Sequence, residues 1–350
     1  MSKPLPTLSQ MPWNIKQLIV HSANTVTKHS LSPCSKEFNN LVAHSPMCYQ
    51  RLEVDISCGQ MKATVLLRID DNVVKRVGFQ QGRNRYAVQI SERRPSWRTD
   101  DVFDAIVEQT VKLFRNPKAS FRSFQLTIQG GHATKAKVVD KFQTFFVSLN
   151  RQVPVTYFTM SFDGYDNHNL VLQTLPFLEP RTLKLISLLS STIFRDYPAD
   201  DLVLSEIAET EQWRHAERLS MVSFNLAVPF DKWAHFSNLD FHVKELKVEL
   251  VREMFESYLH NPQFNLCEIR CLTIHHRQIL EFLFQFSSTI TTATGGITAV
   301  FNVPNHPDIC FQVFLQRNLM ILRKVQRDMV KAGDRLETAE VLANVTKWIK

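Results

Sequence analysis

The sequence predicts a mixed α/β fold (α+β overall) dominated by parallel strands joined through crossover helices. Three observations carry this. Short runs with apolar residues at every second position alternate along the chain with longer runs of helical period. The strand-like runs Phe124–Ile128, Tyr157–Phe162, Thr182–Ile186, Arg218–Ser223, Leu239–Val243 and Glu268–Ile274 recur at intervals of roughly 20–40 residues, the range of leucine-rich and related repeats. Spacers of that length are crossovers between parallel neighbours, not hairpins. Four of these six strands are also polar at alternate positions, whereas strands of a doubly wound sheet are apolar on both faces. One covered sheet face and one naked face describe a leucine-rich-repeat-like strand–helix solenoid.

Four segments follow in order. Residues 1–49 read as short helical pieces. Met11-Pro12 precede an apolar face of Ile15, Leu18 and Ile19, and Leu31, Cys34, Phe38, Leu41 and Val42 make a second face. Pro33 is placed to open the second helix, where its missing N–H costs nothing. So short a segment cannot bury two apolar faces alone and must dock on the chain or on a partner. Residues 50–99 read as an antiparallel β layer: Leu52, Val54 and Ile56 alternate, Thr64–Ile69 alternate less cleanly, and Tyr86, Val88 and Ile90 alternate again. Asp70-Asp71-Asn72 and Gln81-Gly82-Arg83-Asn84 are turn signals, and Ser91–Thr99 reads as a loop around Pro95. This layer is placed to cap the first repeat.

Residues 100–318 carry the repeats. Phe103, Ile106, Val107, Thr110, Leu113 and Phe114 form one helical stripe; Val138, Val139, Phe142, Phe145, Phe146 and Leu149 form a second. Leu250, Val251, Met254, Phe255, Tyr258 and Leu259 form a third, ending before Asn261-Pro262. Leu280, Phe282, Leu283, Phe284 and Phe286 are dense enough for burial. Ser287–Gly296 reads as a turn-rich loop, and Ile297–Val303 and the run around Phe311–Leu315 as strands. Residues 319–350 read as a helical tail with a break at Gly333 and a solvated basic side of Arg323, Lys324, Arg327 and Lys331.

Composition narrows function. The 350 residues are 44% hydrophobic and 21% charged, a globular balance with room for a large core. No apolar run approaches the length of a membrane span, and the start MSKPLPTLSQMPW lacks the apolar stretch of a signal peptide. Six cysteines without paired short spacings suit free thiols in a reducing compartment. The expected location is cytoplasmic, nuclear or both. The net charge of +7 is concentrated between Lys75 and Arg98, where Lys75, Arg76, Arg83, Arg85, Arg93, Arg94 and Arg98 face one acid, Glu92. Phe79, Tyr86 and Trp97 are interleaved there, the footprint of a nucleic-acid contact. No recognised nucleic-acid module accompanies it, and a charged hairpin protecting its own edges explains it as well.

Signals for bond chemistry are absent. Gly130-Gly131 and Gly295-Gly296 are isolated pairs, not a phosphate loop, and Gly-x-Ser-x-Gly does not occur. Cys267, Cys271, His275 and His276 have superficial metal spacing. In a strand, however, residues four apart sit about 13 Å apart and cannot converge on one zinc ion. Asp200-Asp201 have no pocket in view, and His235 and His242 read as structural or exposed. No enzyme, cofactor or metal is expected.

The order of LPFLEPRTL from Leu175, EQWRHAERL from Glu211, WAHFSNLDFHV from Trp233 and LHNPQFNLCEI from Leu259 resembles the FTH domain of F-box proteins. The likeness is strong over Leu175–Ile274 and weaker over Phe103–Phe162. Thr210 and Arg181 stand where that family usually has an apolar residue and a glycine. The N-terminal pattern, Met-Pro, then Ile-x-x-Leu-Ile, then Cys-Ser-Lys-x-Phe-x-x-Leu-Val, is similar to a divergent F-box. Trp13-Asn14 replace the acidic residue often found after the proline, and Pro33 falls where the family's helix usually continues. The resemblance implies a substrate-recognition subunit of an SCF-type cullin-RING ubiquitin ligase. Met11, Pro12, Ile15, Leu18, Ile19, Leu31, Cys34, Phe38, Leu41 and Val42 would then hold a Skp-type adaptor, and the FTH-like region a target protein. On the naked sheet face the strand alternation places Gln125, Thr127, Tyr157, Thr159, Lys184, Arg218, Ser220, Asp240, His242 and Lys244. Leu126, Ile128, Phe158, Met160, Leu183, Leu185, Leu219, Met221, Phe241 and Val243 point inward. Of the polar column, Tyr157, Thr159, Lys184, Arg218, Ser220, Asp240, His242 and Lys244 are the candidate target contacts.

Overall fold

Alternation along a strand decides which side chains a helix can cover, and both halves of the chain follow from it. A computed structural model describes residues 7–330 apart from 59–61, 70–71, 83–84, 91–93, 99–100, 131, 150, 163–167, 191–200, 223–228, 288 and 294–295. It divides into two compact units between Leu183 and Lys184. No helix among the described residues is long and apolar enough to cross a membrane.

The first unit opens with α1 (Trp13–Ser22), α2 (Thr25–Leu31) and α3 (Lys36–Ala43). Asn24 caps α2 by accepting from the Thr27 N–H at 2.9 Å. Pro33 opens a short 3-10 helix, Ser32–Cys34, rather than the α-helix; α3 begins two residues later, capped by the Ser35 hydroxyl. Strands β1 (Met47–Ser57), β2 (Lys62–Ile69), β3 (Asn72–Gln81), β4 (Tyr86–Ile90) and β5 (Ser96–Arg98) pair antiparallel in sequence. β5 falls where a loop is expected, because three residues are too few to show a period of two. Then come α4 (Val102–Phe114), β6 (Ala119–Gln129), α5 (His132–Leu149), β7 (Val155–Phe162) and α6 (His168–Thr174). β1 pairs parallel with β6, and β6 with β7, so the antiparallel layer continues the parallel strands in the order β5-β4-β3-β2-β1-β6-β7.

The buried side of that sheet is the predicted one: Leu52, Val54 and Ile56 of β1, Phe124, Leu126 and Ile128 of β6, and Phe158 and Met160 of β7. Phe114, at the end of α4, has ring centroids of Phe121 at 5.0 Å, Phe124 at 5.4 Å, Phe145 at 5.9 Å and Phe146 at 6.3 Å. The turn after it is tied by Arg151, whose guanidinium donates to the carbonyls of Phe114, Asn116 and Pro117.

The second unit contains β8 (Leu185–Ser190), α7 (Asp201–Ala208), α8 (Glu211–His215), β9 (Arg218–Val222), β10 (Asn238–Leu246), α9 (Val248–His260), β11 (Leu266–Ile274), α10 (His276–Phe286), β12 (Thr289–Ala293), β13 (Gly296–Val303), β14 (His306–Leu315) and β15 (Leu319–Gln326). Within it the strand order is β8-β9-β10-β11-β15-β14-β13-β12. β8 to β11 are parallel, and the remaining pairs are antiparallel.

Three expectations change here. β8 starts at Leu185, not Thr182, because the Thr182 and Leu183 N–H groups are held in a turn by the Glu179 carbonyl. Ile186 and Leu188 are its buried apolar residues, Ser187 between them is also buried, and Leu185 is only half-buried. Part of Ser287–Gly296 is the strand β12, not a loop: its threonines are β-branched and suit a pleated strand. At the start of β13, a Cβ on Gly296 would lie 2.9 Å from the Leu315 carbonyl oxygen, so only glycine permits that approach. Leu319–Gln326, expected as the start of a helical tail, is β15, with Met320 and Leu322 buried between β11 and β14. A short apolar run does not by itself separate strand from helix. Gly333 and Lys331 lie outside the described residues.

Phe114→Ala removes the ring on which α4, β6 and α5 converge. It should cost about 3–5 kcal/mol of stability in urea unfolding; a loss below about 1 kcal/mol would show that the cluster is not a keystone of the first unit.

Candidate functional site

The N-terminal helices turn an unexpected side inward. α1 buries Lys16 and Val20; the Lys16 ammonium pairs with Glu37 of α3, and its aliphatic stem covers apolar surface. Lys28 of α2 is also buried and donates to the Pro46 carbonyl at 2.8 Å. Ile15 and Leu18, on the opposite side of α1, face out at 40% and 63% exposure; Trp13, at the first residue of the helix, is 50% exposed, and Val26 of α2 42%. Ile19 and Met11 are intermediate and Pro12 is exposed. In the second predicted face Leu31, Phe38 and Val42 are core residues of the chain itself, which removes them from any outward surface. Leu41 is half-buried and Cys34 is exposed.

In the first unit the uncovered sheet face carries Tyr157 and Thr159 on β7, both half-buried. Thr159 registers with Gln125, Gln125 with Glu53, and Thr127 with Asp55. The Arg122 guanidinium lies 5.9 Å from the centroid of the Tyr157 ring. Arg51 donates to Gln125 Oε1 at 2.6 Å, and Glu53 Oε1 sits 2.6 Å from Arg51 Nε and 3.9 Å from Arg68 Nε. Burial raises the Asp55 carboxyl above its ordinary value, and the Glu53 charge adds to the shift.

In the second unit the uncovered face carries Ser220 on β9 and Asp240 and His242 on β10, all half-buried, with Arg218 and Lys244 exposed. Lys184 precedes β8, where its carbonyl accepts from the Glu217 and Arg218 N–H groups and its ammonium lies 3.2 Å from Glu217 Oε1. Two residues of this face lie beyond the predicted set. Arg270 of β11 donates to His242 Nε2 at 2.6 Å, lies 3.6 Å from Asp240 Oδ1 and pairs with Glu268. The alternation that picks out Asp240 and His242 would have found both one strand further on.

The basic segment is divided by the fold. Phe79 and Tyr86 are buried, while Trp97 is 54% exposed. Lys75 reaches Gln109 Oε1 at 3.3 Å, and burial, helped by Lys112, holds its ammonium below the ordinary lysine range. Arg76, Arg85, Arg94 and Arg98 are exposed; Arg83 and Arg93 lie outside the described residues. Cys267 and Cys271 are buried, and burial pushes the Cys271 thiol up to about 12. His275 is engaged by Glu245 at 2.6 Å. Among the described residues no group of His, Cys, Asp and Glu is arranged to hold a metal ion.

The Gln-Trp-Arg segment forms a packing node. Thr210 caps α8, accepting from the Trp213 N–H at 3.3 Å while donating to the Ile207 carbonyl at 2.7 Å, so a polar residue is satisfied at that position. Arg181 does not need a glycine's freedom, since Asn305 alone of the described non-glycine residues has positive φ. Trp213 Nε1 donates to the Lys232 carbonyl at 2.7 Å, and its ring meets Phe236 edge-on at 5.2 Å. His235 Nε2 lies 2.9 Å from the Trp213 carbonyl. This node lies inside an FTH domain: the model of that domain matches residues 136–286, from α5 to the end of α10. The match begins and ends further out than the Leu175–Ile274 stretch that carries the strong resemblance. No curated protein and no solved structure matches the chain.

Burial lowers the His235 pKa below its ordinary value, opposed in part by the hydrogen bond to Trp213. The neutral ring is thus favoured in the folded chain. The stability this gives is complete above the unfolded pKa of about 6.5 and declines as pH falls through that value toward the lowered folded pKa. His235→Gln should flatten the fall in thermal midpoint between about pH 7 and pH 5 relative to wild type. Identical slopes would mean that His235 titrates as it does when unfolded.

Proposed function

We propose that this chain is the substrate-recognition subunit of an SCF-type cullin-RING ubiquitin ligase, and that it performs no bond chemistry itself. The observation that carries the reading is an outward apolar stripe on α1, formed by exposed Ile15 and Leu18 beside half-buried Ile19, in a helical segment ahead of an FTH domain. An F-box-like segment at that place would lay this face on a Skp-type adaptor. An interface of ordinary size buries roughly 1,200–2,000 Å², and in this reading Met11, Pro12, Ile19, Leu41 and Cys34 would contribute to it. The parallel strand–helix units, leucine-rich-repeat-like in this reading, would hold a target protein on the uncovered faces. The contacts would be Tyr157 and Thr159 in the first unit and Lys184, Arg218, Ser220, Asp240, His242 and Lys244 in the second. Function then lies in effective concentration: a target tethered beside a charged ubiquitin-conjugating enzyme reacts as though intramolecular. Such a subunit works in the cytosol or nucleus.

Leu18 is exposed, so Leu18→Asp should leave stability within about 0.5 kcal/mol yet weaken adaptor binding by several kcal/mol. Co-purification of a Skp-type adaptor and cullin with wild type, and its loss with the variant, is the expected result. An adaptor that never binds the wild type, or binds the variant equally, excludes the reading.

Tyr157→Ala and Arg218→Ala, made separately and together, should reduce recovery of the target by affinity purification while adaptor binding and thermal midpoint stay at wild-type values. Parallel loss of target, adaptor and stability would assign these two residues to folding instead.

A further inference from the structure

β5 is the last strand of the first unit's row, held to β4 by the pairs Tyr86↔Arg98, Ala87↔Trp97 and Val88↔Ser96. Backbone N–H and C=O groups alternate between the two sides of a strand. Those of β5 that point away from β4 therefore meet no further strand among the described residues. All three β5 side chains are exposed. Trp97 is a large ring left in water, and the Arg85 guanidinium lies 4.3 Å from its centroid. The hairpin between β3 and β4 sets that stack: the Gly82 N–H donates to the Arg85 carbonyl at 2.7 Å. A Cβ on Gly82 would stand 2.9 Å from that oxygen and 3.7 Å from the Trp97 ring, so glycine is required for the approach. Arg94 is exposed two residues before β5, and Arg98 lies close enough to α4 to help lower the Glu108 carboxyl, mainly held down by Lys112.

We propose that β5 is a docking edge for an extended acidic segment of another protein, which adds as a further strand outside it. Main-chain hydrogen bonds would supply the pairing. Carboxylates would meet Arg85, Arg94 and Arg98, and one apolar side chain would lie against Trp97. Nucleic acid fits less well. Single strands are held by stacking successive bases on a series of aromatic platforms, and of the three aromatic residues here Phe79 and Tyr86 are core, which leaves one exposed ring, Trp97. The proposal is independent of whether α1 holds an adaptor.

The full-length chain can be tested by fluorescence anisotropy with four labelled probes: a peptide alternating glutamate with valine and threonine, the same peptide N-methylated at alternate residues, its lysine-for-glutamate counterpart, and a single-stranded oligonucleotide. The acidic peptide should bind, more weakly as salt rises, and the N-methylated and lysine peptides should not. Arg94→Glu with Arg98→Glu should lower its affinity by about tenfold, the size expected for two surface ion pairs lost together. Trp97→Ala should weaken it as well, with thermal midpoints unchanged. The probe arms use wild-type protein alone and so remain decisive if a variant misfolds. The proposal is overturned if the acidic peptide fails to bind, if N-methylation does not matter, or if the oligonucleotide binds more tightly.

Discussion

Parallel strands must be joined by crossovers, and each crossover helix must bury its apolar stripe on the sheet it crosses. In the first unit that requirement converges on Phe114, whose ring touches two phenylalanines of β6 and two of α5. In the second it falls on α9. Tyr258 stacks on Phe264 at 4.0 Å, while Phe255 meets Phe282, Phe301 and Phe311 within 5.7 Å. Through Phe301 and Phe311, α9 also covers β13 and β14, so one helix joins the parallel and antiparallel parts of that unit. Aromatic pairs add about 0.5–1.5 kcal/mol each beyond their burial, and they fix which strands a helix can lie across.

Covering one face commits the other to polar chemistry, and the polar residues there are not independent. Glu53 lies between Arg51 and Arg68, and Arg270 between Asp240 and Glu268 with His242 in contact. Exposed pairs of this kind contribute about 0–1 kcal/mol each to stability, so the fold does not depend on them. Each uncovered face presents charges already paired with one another, so any partner of such a face would have to replace those pairs with its own. That favours shape and charge register over net charge as the basis of selection.

Much of this was legible because it is periodic. The inward residues of β1, β6, β7, β9 and β10 and the stripes of α4, α5 and α9 follow directly from spacing, and the Trp213 node from its motif. What escaped lacks enough residues to show a period or fits two periods at once. β5 has three residues. The run Leu183–Ser190, Leu-Lys-Leu-Ile-Ser-Leu-Leu-Ser, accepts either phase, and its first residue is held out of β8 in the turn at Glu179. β12 has an uncharged, threonine-rich sequence that reads as a turn until it is seen against β13. β15 consists of residues with good helix propensity, overridden by the two strands that flank it.

The N-terminal helices fail differently, and the failure is informative. Spacing identifies an apolar stripe on α1 but not what covers it. Here Glu37 on α3 recruits Lys16 inward, and that choice of helix rotation turns Ile15 and Leu18 outward. The Lys16 stem is buried, but its ammonium meets a Glu37 side chain that is 56% exposed, so the pair lies at the surface and contributes little to stability. A scattered exposed leucine needs no explanation; a buried lysine opposite a row of exposed apolar residues does. Sequences depart from local rules chiefly where function requires it. The rotation of α1 is therefore a physical reason, independent of any motif in the segment, to test its outer face for a partner.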